Sequence, residues 1–470
     1  MKFKKFGKAL LLSALSAGVV LSVTSCIQSY SVGYLYVTGT VTSETTGNGI
    51  VSGFKINHDS GGLTPINGLP VSSGGANPVR AILTNGSRFL YVLNRGVSQN
   101  PAGNSLCTTA YPCSGANITQ FVVGANGILT AQETFSTQGI NPFRIIGDNS
   151  GNYIYVLDHD SPVPQPDGSI VPSDSAHPNQ YCAAALTGAT TCGDITVFQI
   201  NSTTGRLSLV VNDQVTATFG GGTSPLTYFP VPVNPIDFVM AGSLLTLSGS
   251  PAAGDVVFPY TYNTANGQLT VSQNSATLLK SSQTANGNVD NATAIVSTGG
   301  YIYVLDNEPI SINGAVASQS QILPFSIGTG GALTPAVSGP IPDDAAQSNP
   351  IYLVAESKGK WLYAANQGDL SNPTLPLSGI SGYVINTPFQ PTEMAGTPVN
   401  FSSGGGPQCL VEDPSSQFFY TANFNDSTVT GLGLNEQSGN LVPLNQSTKA
   451  PTQYTLNGPA TWCLVDARVD

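Results

Sequence analysis

In the stretch Pro142-Phe-Arg-Ile-Ile-Gly-Asp-Asn-Ser-Gly-Asn-Tyr153-Ile-Tyr-Val-Leu-Asp158, an apolar run, a polar turn and an aromatic run follow one another within 17 residues. The aromatic run recurs as Tyr34-Leu-Tyr-Val, Phe89-Leu-Tyr-Val, Tyr301-Ile-Tyr-Val, Trp361-Leu-Tyr-Ala and Phe418-Phe-Tyr-Thr, with Leu244-Leu-Thr-Leu as a degenerate copy. That makes seven. Short aromatic and β-branched runs bounded by Gly, Asn and Asp read as strands, and no sustained helical period competes with them.

Each copy has the same neighbours. A Pro lies 11 residues before the aromatic at Pro78, Pro142, Pro350 and Pro407; Asp290 takes that place before Tyr301, and Pro235 precedes Leu244 at a shorter distance. The run after Pro is one strand, and a third follows downstream, as in Ile118-Thr-Gln-Phe-Val-Val and Ile195-Thr-Val-Phe-Gln-Ile. A Gly-x-Leu turn then opens a fourth at Gly61, Gly127, Gly205, Gly267, Gly331 and Gly439. Glycine supplies the positive φ that a tight hairpin needs. Four strands in each of seven units predict an all-β, seven-bladed β-propeller of four-stranded antiparallel blades. Pro459 leads a last apolar run, Trp462-Cys-Leu-Val, with no aromatic strand after it, whereas Tyr34 has no Pro-led strand before it. The C-terminal strand is therefore expected to complete the N-terminal blade and close the ring, leaving no open sheet edge.

The start of the chain reads differently. Lys2, Lys4, Lys5 and Lys8 precede an apolar stretch, Ala9–Val23, with no acid before Glu44. This is the order of an export signal, and the stretch is short for a spanning helix. Val23-Thr24-Ser25-Cys26 resembles a bacterial lipobox, which makes Cys26 the expected lipid carrier. Ile27 is not the Asp of an inner-membrane retention signal, so the outer membrane or cell surface is the expected location. The predicted division is 1–25 signal peptide, 26–33 lipidated tether and 34–470 propeller, a monomer joined to the membrane through its lipid. Without residues 1–25, 11 basic residues face 26 acidic ones, a net charge of −15. Nucleic acid is excluded as a partner, because phosphate neutralisation needs a dense basic face.

Six further cysteines, Cys107, Cys113, Cys182, Cys192, Cys409 and Cys463, read as disulfides in an exported chain. Proximity favours Cys107–Cys113 and Cys182–Cys192, which leaves Cys409 for Cys463. Zinc is disfavoured by the lack of CxxC and of ligand spacing among His58, His159 and His177.

The Pro-led strand, the spacing of 11, the Tyr-Val-Asn/Asp strand end and the Gly-x-Leu turn resemble the seven-bladed lactonase family, which includes bacterial 6-phosphogluconolactonase and fungal carboxymuconate cyclase. The resemblance covers about residues 30–470. It implies a lactone hydrolase whose Arg, and often His, directly after the Gly/Pro of an inner strand faces the channel; no cofactor is expected. Here those places hold Val79, Phe143, Ile236, Asn291, Ile351, Gln408 and Ala460, so the family's catalytic residues are not matched. Arg80, Arg144 and Asp237 stand one position later and are expected to rebuild a polar site, with Tyr352 and Gln408 as further ligand contacts.

The long inserts 95–117, 159–193, 307–320, 367–380 and 212–234 belong to loops that share one face of such a ring, which makes that face the expected binding surface for a small molecule, glycan or protein. The aromatic strands end on Asn94, Asp158, Asp306, Asn366 and Asn423. These are expected to cap turns; a Ca²⁺ site built with Asp160, Glu308 and Asp426 is the weaker alternative. His159, between two carboxylates, is a candidate base. Two functions follow: a lipid-tethered binding module, or an envelope lactone hydrolase in which Arg80 and Arg144 hold the acid group while Asp237 or His159 activates water.

Overall fold

The computed structural model describes residues 30–468 except 42–47, 85, 101–106, 187, 220–221, 250–253, 273–275, 299, 338, 370–377, 386–390 and 395–404. The expected Cys26 anchor lies outside the described residues, as do parts of the inserts 95–117, 212–234 and 367–380. No helix among the described residues is long and apolar enough to cross a membrane.

Seven antiparallel sheets of at least four strands form the ring. Blade 3 shows the plan: Ile140–Gly147 innermost, then Tyr153–Asp160, Gly193–Ile200 and Leu207–Val210. The inner strands of blades 2, 4, 5, 6 and 7 are Pro78–Thr84, Pro235–Met240, Ala292–Thr298, Pro350–Ala355 and Val411–Glu412. Blade 1 is made from both ends of the chain. Ala460–Asp466 lies innermost beside Ser31–Thr40, pairing Leu464 with Tyr36, Cys463 with Val37 and Trp462 with Thr38. The closing strand is pinned to blade 7 by the Cys409–Cys463 disulfide, and Cys107–Cys113 and Cys182–Cys192 are also joined.

At four of the copies the repeated tyrosine and the Gly-x-Leu turn prove to be two halves of one fastening between blades, whereas Tyr155 Oη is buried without a partner among the described residues. Tyr36 Oη donates to the Gly127 carbonyl of the next blade at 2.8 Å, and Tyr420 Oη does the same to Gly61 at 2.7 Å. Tyr91 and Tyr363 reach Gly205 and Gly439 in the same way. Gly127 has φ +74°, and a Cβ there would lie 2.7 Å from the Tyr34 ring. The turn therefore needs glycine for its backbone and again for lack of room. Around each fastening lies an apolar layer, such as Tyr36, Val51, Leu90 and Phe121 between blades 1 and 2. Each fully buried side chain of this kind contributes about 1.5–3 kcal/mol.

Two expected alignments shift. Blade 5 begins at Ala292, not Asp290: Ala292 pairs with Asp306 as Pro78 pairs with Asn94. The hairpin between Thr298 and Tyr301 is two residues shorter than its blade 2 counterpart, so a fixed spacing of 11 overshoots. In blade 1 the counterpart of Pro78 is Ala460, one residue after Pro459, because Ala460 pairs with Gly39. Thr293 and Thr461, not Asn291 and Ala460, thus complete the series that begins with Val79 and Phe143.

The inserts are mostly folded. Pro162–Pro164 pairs with Ile170–Pro172, Asn212–Phe219 with Gly222–Leu226, and Ile310–Ile312 with Ala315–Ser318. A helix, Gln180–Ala185, starts at Asn179, whose side chain accepts from the Tyr181 N–H.

Candidate functional site

Inner strands of blades 2, 3, 4, 5 and 6 each carry a register shift one residue after their start, between Pro78 and Arg80, Pro142 and Arg144, Pro235 and Asp237, Ala292 and Ala294, and Pro350 and Tyr352. A bulge inserts one residue and re-aims the side chains beyond it. In blade 1 the same shift separates Ala460 from Trp462. The second residue after the strand start is thus the one that meets its counterparts from other blades.

Arg80 Nη1 lies 3.4 Å and Arg144 Nε 3.2 Å from the same oxygen, Asp237 Oδ1. The other oxygen, Oδ2, accepts from the Ile295 N–H at 3.3 Å. The Arg80 guanidinium stacks 4.3 Å from the Trp462 ring centre, and Tyr352 meets Trp462 edge-on at 5.3 Å. Side-chain exposure is 3% for Asp237, 11% for Arg80 and 28% for Arg144, so Arg144 is the most open member. Burial, aided by the Arg144 charge, pulls the Arg80 pKa down to about 10, although Asp237 and Tyr352 oppose the fall. Burial raises that of Tyr352.

A third guanidinium was not anticipated. Arg95 follows Asn94 at the end of a blade 2 strand, and burial together with the nearby Arg144 charge lowers its pKa. Two of the chain's six arginines therefore meet on one carboxylate, with a third near enough to Arg144 for their charges to interact, in a protein of net charge −11. The scarcity of arginine elsewhere was the available signal. Such convergence of like charge is common where a site receives an anion, because guanidinium forks match carboxylate and phosphate oxygens.

The other expected residues lie apart. Gln408 accepts from Gln367 Nε2 at 3.0 Å and donates to the Gly406 carbonyl. His159 Nδ1 pairs with Asp160 Oδ1 at 3.0 Å, and its ring centre is 6.3 Å from that of Phe143. A cavity of about 880 Å³ is lined by Ile82, Ser87, Asn149, Tyr352, Glu412 and Trp462. The aromatic pair thus touches both this cavity and, through Trp462, the Arg80 guanidinium.

The strand-ending Asn and Asp residues bond across strands instead of capping turns. Asn94 Nδ2 donates to Thr119 Oγ1, Asn366 Nδ2 to Ser381 Oγ and Asn423 Nδ2 to Thr430 Oγ1, at 3.0–3.1 Å, while Asp158 Oδ2 accepts from Thr196 Oγ1 at 3.1 Å. Among the described residues no group of three or more His, Cys, Asp or Glu is placed to hold a metal ion, which removes the geometric support for Ca²⁺.

Blade 3 departs from this pattern. Opposite Asn94 stands Asn117, and opposite Asp306 stands Gln321, but Asp158 faces a second acid, Asp194. Both acids are fully buried. Burial and their mutual repulsion push Asp194 well above the carboxylate range, and burial raises Asp158 to about 7. The fold therefore favours the protonated, uncharged form of the pair, and its contribution to stability depends on pH. Because the folded pKa exceeds the unfolded one, this contribution is full below about pH 4 and lost as pH rises through about 7. Asp194→Asn supplies the proton permanently, as Gln321 does in blade 5. Thermal melts are expected to show a midpoint about 1–3 °C above wild type at pH 8 and a smaller gain at pH 5; a gain that does not grow with pH contradicts the raised pKa of the pair.

Fold and site together define a seven-bladed propeller with an arginine-lined channel. Residues 317–460 match the family model described as "Lactonase, 7-bladed beta-propeller". The resemblance read from the repeat is therefore to the family that the model describes. No curated protein matches the chain. Among solved structures, a putative 6-phosphogluconolactonase from Bacteroides uniformis is similar at 13% identity and TM-score 0.60, covering 92% of this chain and 99% of that one. One from Bacteroides fragilis gives 15%, 0.59, 92% and 98%. The periplasmic gluconolactonase of Pseudomonas aeruginosa gives 14%, 0.55, 92% and 98%. At such identity the likeness establishes the fold.

Proposed function

We propose that this lactonase-like propeller is an envelope-anchored recognition module that binds a small carboxylate- or phosphate-bearing molecule at its channel. The observation that carries the reading is the meeting of Arg80 and Arg144 on one Asp237 oxygen, with Arg95 beside them. One carboxylate leaves positive charge uncompensated, and an anionic ligand supplies the balance. Asp237 is poorly placed as a base, since one oxygen faces two guanidiniums and the other a backbone N–H. The Phe143 ring lies 5.3 Å from the Arg144 guanidinium carbon and 6.3 Å from the His159 ring centre, and His159 is paired with Asp160.

The second reading is lactone hydrolysis. It is favoured by the lactonase family match and by the names of the structural neighbours, one a periplasmic gluconolactonase. In that reading the arginines polarise the ester carbonyl, and Asp237 or His159 activates water.

Calorimetry with gluconate and 6-phosphogluconate separates these readings. Binding is expected, weakening with salt, and about tenfold or more lost in Arg80→Ala/Arg144→Ala, since each charged hydrogen bond contributes about 1.5–3 kcal/mol. Neither anion binding, or a double variant that binds as wild type does, defeats the site. Gluconolactone turnover that disappears in the same variant replaces recognition with hydrolysis.

The anchor is proposed from the order of basic start, apolar stretch and Cys26. Cys26→Ser is expected to move the protein from the membrane to the soluble fraction on cell fractionation; unchanged membrane recovery refutes lipid attachment there.

A further inference from the structure

On the insert-bearing face, separate from the arginines, a pocket of about 340 Å³ is lined by Thr109, His159, Ser173, Ser175, Thr190 and Thr191, with Asp160 and Asp174 in its wall. Its size falls near the lower end of the ~300–1,000 Å³ usual for small-ligand sites. Cys192, Val233 and Asn234 complete the lining, in which five of eleven residues carry a hydroxyl.

Several elements hold it in shape. The insert of blade 2 docks on blade 3: the Cys113 N–H donates to Asn141 Oδ1, Asn141 Nδ2 donates to Asp160 Oδ2, and Thr109 Oγ1 donates to Asp160 Oδ1, all at 2.9 Å. The insert of blade 3 is closed by Cys182–Cys192. Asn179 fixes it further, with its N–H on the Thr190 carbonyl at 2.8 Å and its Nδ2 on Ser161 Oγ and Tyr228 Oη. Asp174 accepts from the Ala176 and His177 N–H groups, which sets the wall that carries Ser173 and Ser175. Pre-organisation of this kind lowers the entropy a ligand must offset.

One wall group lacks a partner. Ser173 is 5% exposed, and its Oγ is buried with no hydrogen bond among the described residues. Buried hydroxyls are ordinarily satisfied, and this unsatisfied one belongs to a residue in the wall of a polar pocket. The charges narrow the choice of ligand. Asp160 and Asp174 disfavour an anion, and each already pairs with a histidine, through His159 Nδ1 and His177 Nδ1 at 3.0 Å. The His159–Asp160 contact leaves Nε2 of that ring for a ligand.

We propose that this pocket is a second binding site, for a neutral, hydroxyl-rich ligand of the monosaccharide class, whose hydroxyls bond to Thr190, Thr191 and His159, and to Ser173 once its side chain rotates toward the ligand. It is independent of the anion reading, since none of its lining residues belongs to the arginine cluster.

The test is saturation-transfer NMR of the full chain with glucose, galactose and mannose as probes, together with the ring-proton resonances of the three histidines. In the wild type, transfer to at least one sugar is expected, and the same sugar shifts the His159 resonance. Ser173→Ala and the near-isosteric Thr191→Val are expected to weaken that sugar about fivefold or more, as loss of one or two hydrogen bonds does. Arg144→Ala leaves it unchanged, which keeps failure here distinct from failure at the channel. No transfer from any probe, no shift of His159, or transfer that survives in both folded pocket variants overturns the site. Should either variant fail to fold, the wild-type histidine shift alone decides.

Discussion

A ring of separate sheets has no covalent seam, so its last sheet must be tied to its first or both present open edges. Here the tie is the pairing of Ala460–Asp466 with Ser31–Thr40, which puts residues more than 420 positions apart into one blade. Long-range pairing is slow to form because loop closure must precede the contacts that reward it. The disulfide between Cys409 and Cys463 limits reopening by holding the closing strand to blade 7, and Tyr420 and Gly61 fasten the same seam from the outside.

The channel chemistry depends on that closure. Arg80 rests on Trp462, which belongs to the closing strand, while Asp237 comes from blade 4 and Tyr352 from blade 6. No two of these four residues share a blade, so their distances are set by ring geometry more than by any local turn. The bulge after each strand start selects which side chain reaches the others. A site of this construction can change its ligand by substituting single side chains without altering the blades.

Much of this was legible in the sequence, for physical reasons that can be named. Tyr36, Tyr91, Tyr363 and Tyr420 are fixed by an interblade hydrogen bond, and their glycine partners by lack of space, so both survive as a repeat. Arg80, Arg144 and Asp237 were legible because they hold one position relative to the strand start. Ala292 was not, since hairpin length varies and a fixed spacing carries no record of it. Arg95 escaped because it lies just past the end of the second strand of its blade, and the pocket beside His159 because its walls come from five separate segments. The acid pair Asp158–Asp194 was hidden for the same reason: its members lie 36 positions apart and meet only through strand register.

Hydrogen exchange of the intact, oxidised chain measures the seam directly. If the ends close the ring, the amides of Ser31–Thr40 and of Ala460–Asp466 share one high opening free energy, matching that of the central strands Tyr153–Asp160 and Tyr301–Asp306. Rapid exchange across Ala460–Asp466, with those central strands still protected, would mean that the circle stands without its closing strand, and would contradict the account.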